Sequence, residues 1–136
     1  VSFYCPSDLI EMLKEQNNVP GFLVNALPDF SSLEETELIL RRETAGSLTE
    51  KQRQSLKVMS PVSYADKKIL PPFLLFHGDQ DTVVSCRQSW EYKRKLEKAG
   101  NRVELVMVPE QGHGFFQGQL YYDKVIEFFE KNIAVR

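Results

Sequence analysis

Cysteine is scarce here: Cys5 and Cys86 are the only two in 136 residues. They lie far apart with no Cys-x-x-Cys spacing, so two small buried thiols is the reading adopted over a disulfide. Histidine is equally scarce, His77 and His113 being the whole complement. No His-x-His or His-Glu-x-x-His spacing occurs, so metal binding is not expected. Long hydrophobic runs are missing: no stretch approaches the roughly 18 apolar residues that span a bilayer. The N-terminus lacks the basic-then-apolar pattern of a secretion signal. Neither charge sign dominates. Basic residues number 17 against 19 acidic ones, a net charge of −2, which offers no electrostatic footprint for nucleic acid or an anionic membrane.

What is present suits one soluble domain with a single core. Hydrophobic residues make up 42% and charged residues 26%, ordinary globular values. Val1 to Tyr4 reads as the end of a strand, broken at Cys5-Pro6. "VSFYCPSDL" starts in mid-strand without an initiator Met or a cap, which leads us to expect a piece of a longer protein. Ser7 can cap a first helix with Leu9, Ile10 and Leu13 on its apolar face.

Residues 27–60 are polar and helical in pattern, without strand alternation. "SSLEETELILRRETAG" carries Ser32 as cap, Glu35 three residues on and Gly46 as stop. "SLTEKQRQSLKVMSP" follows, with Thr49 as cap and Pro61 as terminator. This stretch reads as a helical, cap-like insertion and not as part of a sheet.

The remainder alternates strand and helix. "PPFLLFHG" is a short continuous apolar run, as in a strand buried on both faces. "SCRQSWEYKRKLEKAGN" is helical, with a Ser85–Gln88 capping box and Gly100 at its exit. Trp90, Tyr92 and Leu96 are read as its packing residues, and "EYKRKLEK" as its solvated face. "RVELVMV" is the next strand, its central Glu104 suiting a position near a sheet edge. "QLYYDKVIEFFEKNI" places Tyr122, Val125, Ile126, Phe129 and Ile133 at helical spacing. Short connections between these elements imply parallel strands with crossover helices, an α/β architecture. In such sheets chemistry collects at the carboxyl ends of the strands, where "HGDQD" and "PEQGHGF" both fall.

Two readings of those segments stand side by side. Asp81 and His113 can form an acid–histidine pair, one strand–helix–strand unit apart and so at the ends of adjacent strands. The carboxylate would fix one ring nitrogen and leave the other as general base. The alternative is an ordinary turn aspartate and a surface-loop histidine. Asp79 is read as a turn residue satisfying local amides. Phe115 and Phe116 can line an acyl or aromatic pocket or bury their loop against the core.

"SPVSYADKKILPPFLLFHGDQDTVV" followed by "LEKAGNRVELVMVPEQGHGF" resembles the C-terminal part of an α/β-hydrolase esterase or lipase. The nearest branch is that of carbohydrate and feruloyl esterases, related to dienelactone hydrolases and prolyl-oligopeptidase-like peptidases. "SP", "PP", "HG-x-x-D-x-x-V" and "GHG" occur in the family's order over roughly residues 57–120, and "VSFYCPSDL" is similar to its "Y-G-P-x-D-L", with Cys5 in place of glycine. The resemblance implies about three parallel strands with flanking helices, Asp81 as triad acid, His113 as triad base, and His77 as a structural strand-end residue. It also implies a small-molecule or carbohydrate-linked ester as substrate, and no cofactor; Phe115 is kept as a substrate-pocket candidate from its place after His113. The family's nucleophile sits in Gly-x-Ser-x-Gly, and this chain has no such pentapeptide; "TAGSLTE" lacks the second glycine and the preceding strand. The serine and the oxyanion hole are therefore expected upstream, and the chain alone is expected to be inactive. The rival expectation is a binding or assembly module that self-associates, or pairs with the missing part, through an exposed sheet edge.

Overall fold

The structure, a computed structural model, describes residues 1–15, 49–114 and 119–133. In chain order its elements are β1 (Ser2–Phe3), α1 (Leu9–Glu15), α2 (Glu50–Met59), a 3-10 turn (Pro61–Tyr64), β2 (Phe73–Gly78), α3 (Arg87–Lys98), β3 (Val103–Val108) and α4 (Gln119–Asn132). They fall into two compact units, Pro6–Tyr64 on the one hand and Val1–Cys5 with Ala65–Arg136 on the other.

In the Pro6–Tyr64 unit, helix α1 buries Leu9 and Met12. Its cap is Asp8 and not the expected Ser7. Asp8 Oδ1 accepts from the amides of Ile10 at 3.2 Å and Glu11 at 3.1 Å. Both residue types cap well, but Ser7 is buried and uses its carbonyl to accept from Val62 N–H at 2.9 Å. Ser60 joins α1 to α2: its Oγ accepts from Leu9 N–H at 3.0 Å and donates to the Leu56 carbonyl at 2.7 Å. Thr49 caps α2 as expected, in a reciprocal box with Gln52, and the helix ends at Ser60 before Pro61. The described part of the expected 27–60 insertion is thus helical from Glu50 on. Ser32, Glu35 and Gly46 lie outside the described residues.

The other unit is a parallel sheet in the order β1-β2-β3 among the described residues. Alternation along β2 sends Leu74 and Phe76 to one face and Phe73, Leu75 and His77 to the other. On the first face Leu74, Phe76, Val108 and Phe128 form the core, with Phe3, Val106, Tyr121 and Val125 against it. The Phe3 and Phe76 rings stack at 4.7 Å. On the second face Tyr92 meets Phe73 edge-on at 5.8 Å, and Ser89 bonds to His77. Helices α3 and α4 therefore cover opposite faces of this sheet.

Three helical expectations are corrected. Of the expected α4 stripe of Tyr122, Val125, Ile126, Phe129 and Ile133, only Val125 packs on the sheet, joined by Tyr121 and Phe128, and the other four are exposed. Two apolar stripes run along this helix, offset by about one residue or 100°, and periodicity alone cannot choose between them. In α3, Tyr92 and Leu96 are buried but Trp90 is 51% exposed, because a residue two positions from Tyr92 lies on nearly the opposite side. The Ser85–Gln88 box gives way to a shorter turn: Ser85 Oγ accepts from Arg87 N–H at 3.3 Å, and Cys86 occupies the cap without a side-chain bond. Glu104 is exposed on β3, at the margin of the described sheet, as expected. Cys5 is buried, Cys86 half-buried, and neither is in a disulfide.

Candidate active site

Register places the site. Gly78 stands opposite Val108 at the carboxyl ends of β2 and β3, so the loops that follow leave the sheet side by side. Their backbones are then joined: Asp79 N–H donates to the Val108 carbonyl at 3.1 Å and Gln80 N–H to the Gln111 carbonyl at 2.9 Å. Asp79 Oδ1 accepts from Glu110 N–H at 2.7 Å. Asp79 does satisfy an amide, as expected of it, but one in the neighbouring loop and not in its own turn.

Across this junction His113 Nδ1 lies 2.9 Å from Asp81 Oδ2. An ionised carboxylate only accepts, so Nδ1 carries the hydrogen and Nε2 keeps its lone pair as a base. The Asp81 side chain is wholly buried, whereas that of His113 is 32% exposed. The carboxylate is enclosed, and the imidazole faces outward. Asp81 Oδ1 accepts from the amides of Val83 at 2.9 Å and Val84 at 2.8 Å. These two amides satisfy the second oxygen of the buried carboxylate. Gly114 follows at φ 89°, a left-handed turn available to glycine at little cost.

Tyr4 and Ser89 also reach this cluster, and neither is read as a site residue from the sequence. Tyr4, at φ 52°, continues from β1 and donates its N–H to the Phe76 carbonyl at 3.0 Å. Its ring packs against the His113 imidazole with centroids 4.7 Å apart. A left-handed conformation costs a non-glycine residue about 1–2 kcal/mol, and such strain collects at functional sites. Ser89, on α3, bonds His77 Nδ1 at 2.6 Å. Tertiary proximity alone could reveal either contact. His77 is fully buried at the end of β2. Phe115 and Phe116 lie outside the described residues. Among the described residues no three His, Cys, Asp or Glu side chains gather in a group suited to a metal ion, and no helix is long and apolar enough to cross a membrane.

Comparison with known proteins places this geometry in context. The sequence profile of the prolyl oligopeptidase family matches residues 25–136. Isoprenylcysteine alpha-carbonyl methylesterase of Arabidopsis thaliana is 31% identical over 64 residues, 47% of this chain and 15% of that protein. Dipeptidyl peptidase family member 6 of Caenorhabditis elegans is 32% identical over 92 residues, 68% of this chain and 12% of that protein. A solved structure of a truncated carbohydrate esterase from gut microbiota superposes with a TM-score of 0.53 at 27% identity, covering 71% of this chain and 33% of its own. The chain thus spans 15% and 12% of the lengths of the two curated relatives. Its parallel strands with flanking helices are of the α/β-hydrolase class.

Proposed function

This chain belongs to the prolyl oligopeptidase family, and from that membership and the Asp81–His113 pair we propose that it carries the acid and base of a serine hydrolase acting on carboxylic esters. The observation that supports the reading most is the 2.9 Å bond from an outward-facing imidazole to a buried carboxylate. Nε2 of His113 takes the proton of a serine hydroxyl as that oxygen attacks the ester carbonyl. Asp81 holds the ring in the correct tautomer and stabilises the imidazolium. His113 then passes the proton to the departing alkoxide, which leaves as an alcohol and an acyl-enzyme remains. Water, deprotonated by the same Nε2, releases the acid and restores the serine. The nucleophile lies outside these 136 residues, which contain no Gly-x-Ser-x-Gly, so the chain alone is inactive. No cofactor takes part in these steps. Carbohydrate-linked esters are the substrate class we favour, by analogy with the carbohydrate esterase it resembles.

A fluorophosphonate probe applied to the full-length protein tests the reaction class. The reading expects one serine outside residues 1–136 to be labelled. In His113→Ala the labelling rate should fall by about 10²–10⁴, the usual contribution of a positioned base. Labelling at an unchanged rate in His113→Ala would sink it.

A further inference from the structure

We propose that His77 is a positioning residue: it aims the Asp81 carboxylate at His113, and Ser89 sets the tautomer that lets it do so. The inference rests on the reading of Asp81 and His113 as acid and base. It adds two residues that touch neither substrate nor reacting atoms.

His77 ends β2 with a fully buried side chain, so both ring nitrogens need protein partners. Nε2 lies 2.8 Å from the Val84 carbonyl oxygen. A carbonyl can only accept, so Nε2 carries the hydrogen. Nδ1, 2.6 Å from Ser89 Oγ, is then the acceptor for the serine hydroxyl. This assignment turns the N–H edge of the ring toward Asp81, whose Oδ2 is 3.2 Å from Nε2. With the opposite tautomer the Nε2 lone pair would face both the carbonyl and the carboxylate, and Ser89 could not donate.

Oδ2 of Asp81 therefore sits between two imidazole N–H edges, His113 at 2.9 Å and His77 at 3.2 Å. Oδ1 meanwhile holds the amides of Val83 and Val84. His77 acts on the carboxylate by two routes. It presents its N–H dipole to Oδ2 directly, and it anchors through its carbonyl the same Val84 whose amide holds Oδ1. Rotation of the carboxylate away from His113 would break bonds on both oxygens. Ser89, His77 and Asp81 form a line of serine, histidine and acid, but all three side chains are buried. This line is a support and not a second reaction centre.

The test needs no ester. In the full-length protein the two rings are assigned in a ¹⁵N spectrum by the imidazole signals lost in His77→Phe and in His113→Ala. The unsubstituted protein should show His77 as the Nε2–H tautomer and His113 with a protected Nδ1–H. His77→Phe keeps the ring volume and removes both nitrogens. His77→Gln keeps an N–H near the Nε2 position. In His77→Phe the His113 Nδ1–H should exchange with water about tenfold faster, as the Asp81 carboxylate that holds it loses the N–H dipole 3.2 Å from Oδ2. In His77→Gln it should return to near the wild-type rate. An Nδ1–H tautomer for His77, or an unchanged His113 proton in folded His77→Phe, overturns the proposal. If His77→Phe does not fold, Ser89→Ala takes its place. Faster exchange than in wild type supports the role and an unchanged rate refutes it. Because the readout is a proton on this chain, it stays informative if the full-length protein hydrolyses no ester, and a functional esterase with an indifferent His77 would refute this inference alone.

Discussion

At Gly78 the end of β2 has no room for a side chain. A Cβ there would stand 2.2 Å from the Gln111 carbonyl oxygen and 2.8 Å from that of Gly112. The atoms in the way are backbone and cannot swing aside, so Gly78 is fixed by space. Its smallness lets the Asp81 and His113 loops meet. Gly78→Ala should cost about 1–3 kcal/mol, as overpacking does, seen as a lower denaturation midpoint. Cys5 makes a second prediction at this scale. Burial pushes its thiol up from 9.0, only partly opposed by a hydrogen bond with Ser2, so little reactive thiolate forms near neutral pH. Cys86, half-buried, should be alkylated faster in the native chain by an order of magnitude or so, as mass spectrometry of iodoacetamide-treated protein would record. The sign for stability follows from the neutral thiol being favoured in the folded state. That contribution is complete below the unfolded value of 9.0 and is lost as pH rises through the raised folded one. Tyr92, raised above 10.0 chiefly by burial and further by the charge of Cys5, weakens the fold in the same alkaline direction.

Among the elements, α4 separates what sequence can and cannot announce. Its helical spacing is plain, yet two apolar stripes compete and only the sheet decides. Phe128 is 7% exposed and Phe129 43%. Phe128→Ala should destabilise by about 3–5 kcal/mol, and Phe129→Ala by less than about 1 kcal/mol, in urea titrations of the two variants. Equal losses would mean that the second stripe also carries packing. The caps teach a related lesson. Thr49 is legible because its partner Gln52 lies in the same helical turn. Ser7 is misread because the neighbouring Asp8 reaches the orphan amides equally well, and Ser85 because it accepts from Arg87 N–H in a shorter turn. Strand β2 needs no such arbitration, since a continuous apolar run between Pro72 and Gly78 suits little else.

For the molecule as a whole, the order of strands and helices and the meeting of Asp81 with His113 were both legible. Parallel topology forces consecutive strand ends together, and the chemistry sits on their loops. The contacts around that pair were less legible: Tyr4 and Ser89 come from the end of β1 and from α3 with no local spacing to link them, and His77 was read only as a structural strand-end residue. The central claim is that Asp81 holds His113 as a general base, and turnover of a p-nitrophenyl ester by full-length Asp81→Asn protein tests it most directly. An amide at this position keeps the shape but no longer fixes the imidazole in its working tautomer. The account predicts that kcat falls by about 10⁴ while KM stays near its starting value; kcat within a few-fold of the unsubstituted protein would contradict it.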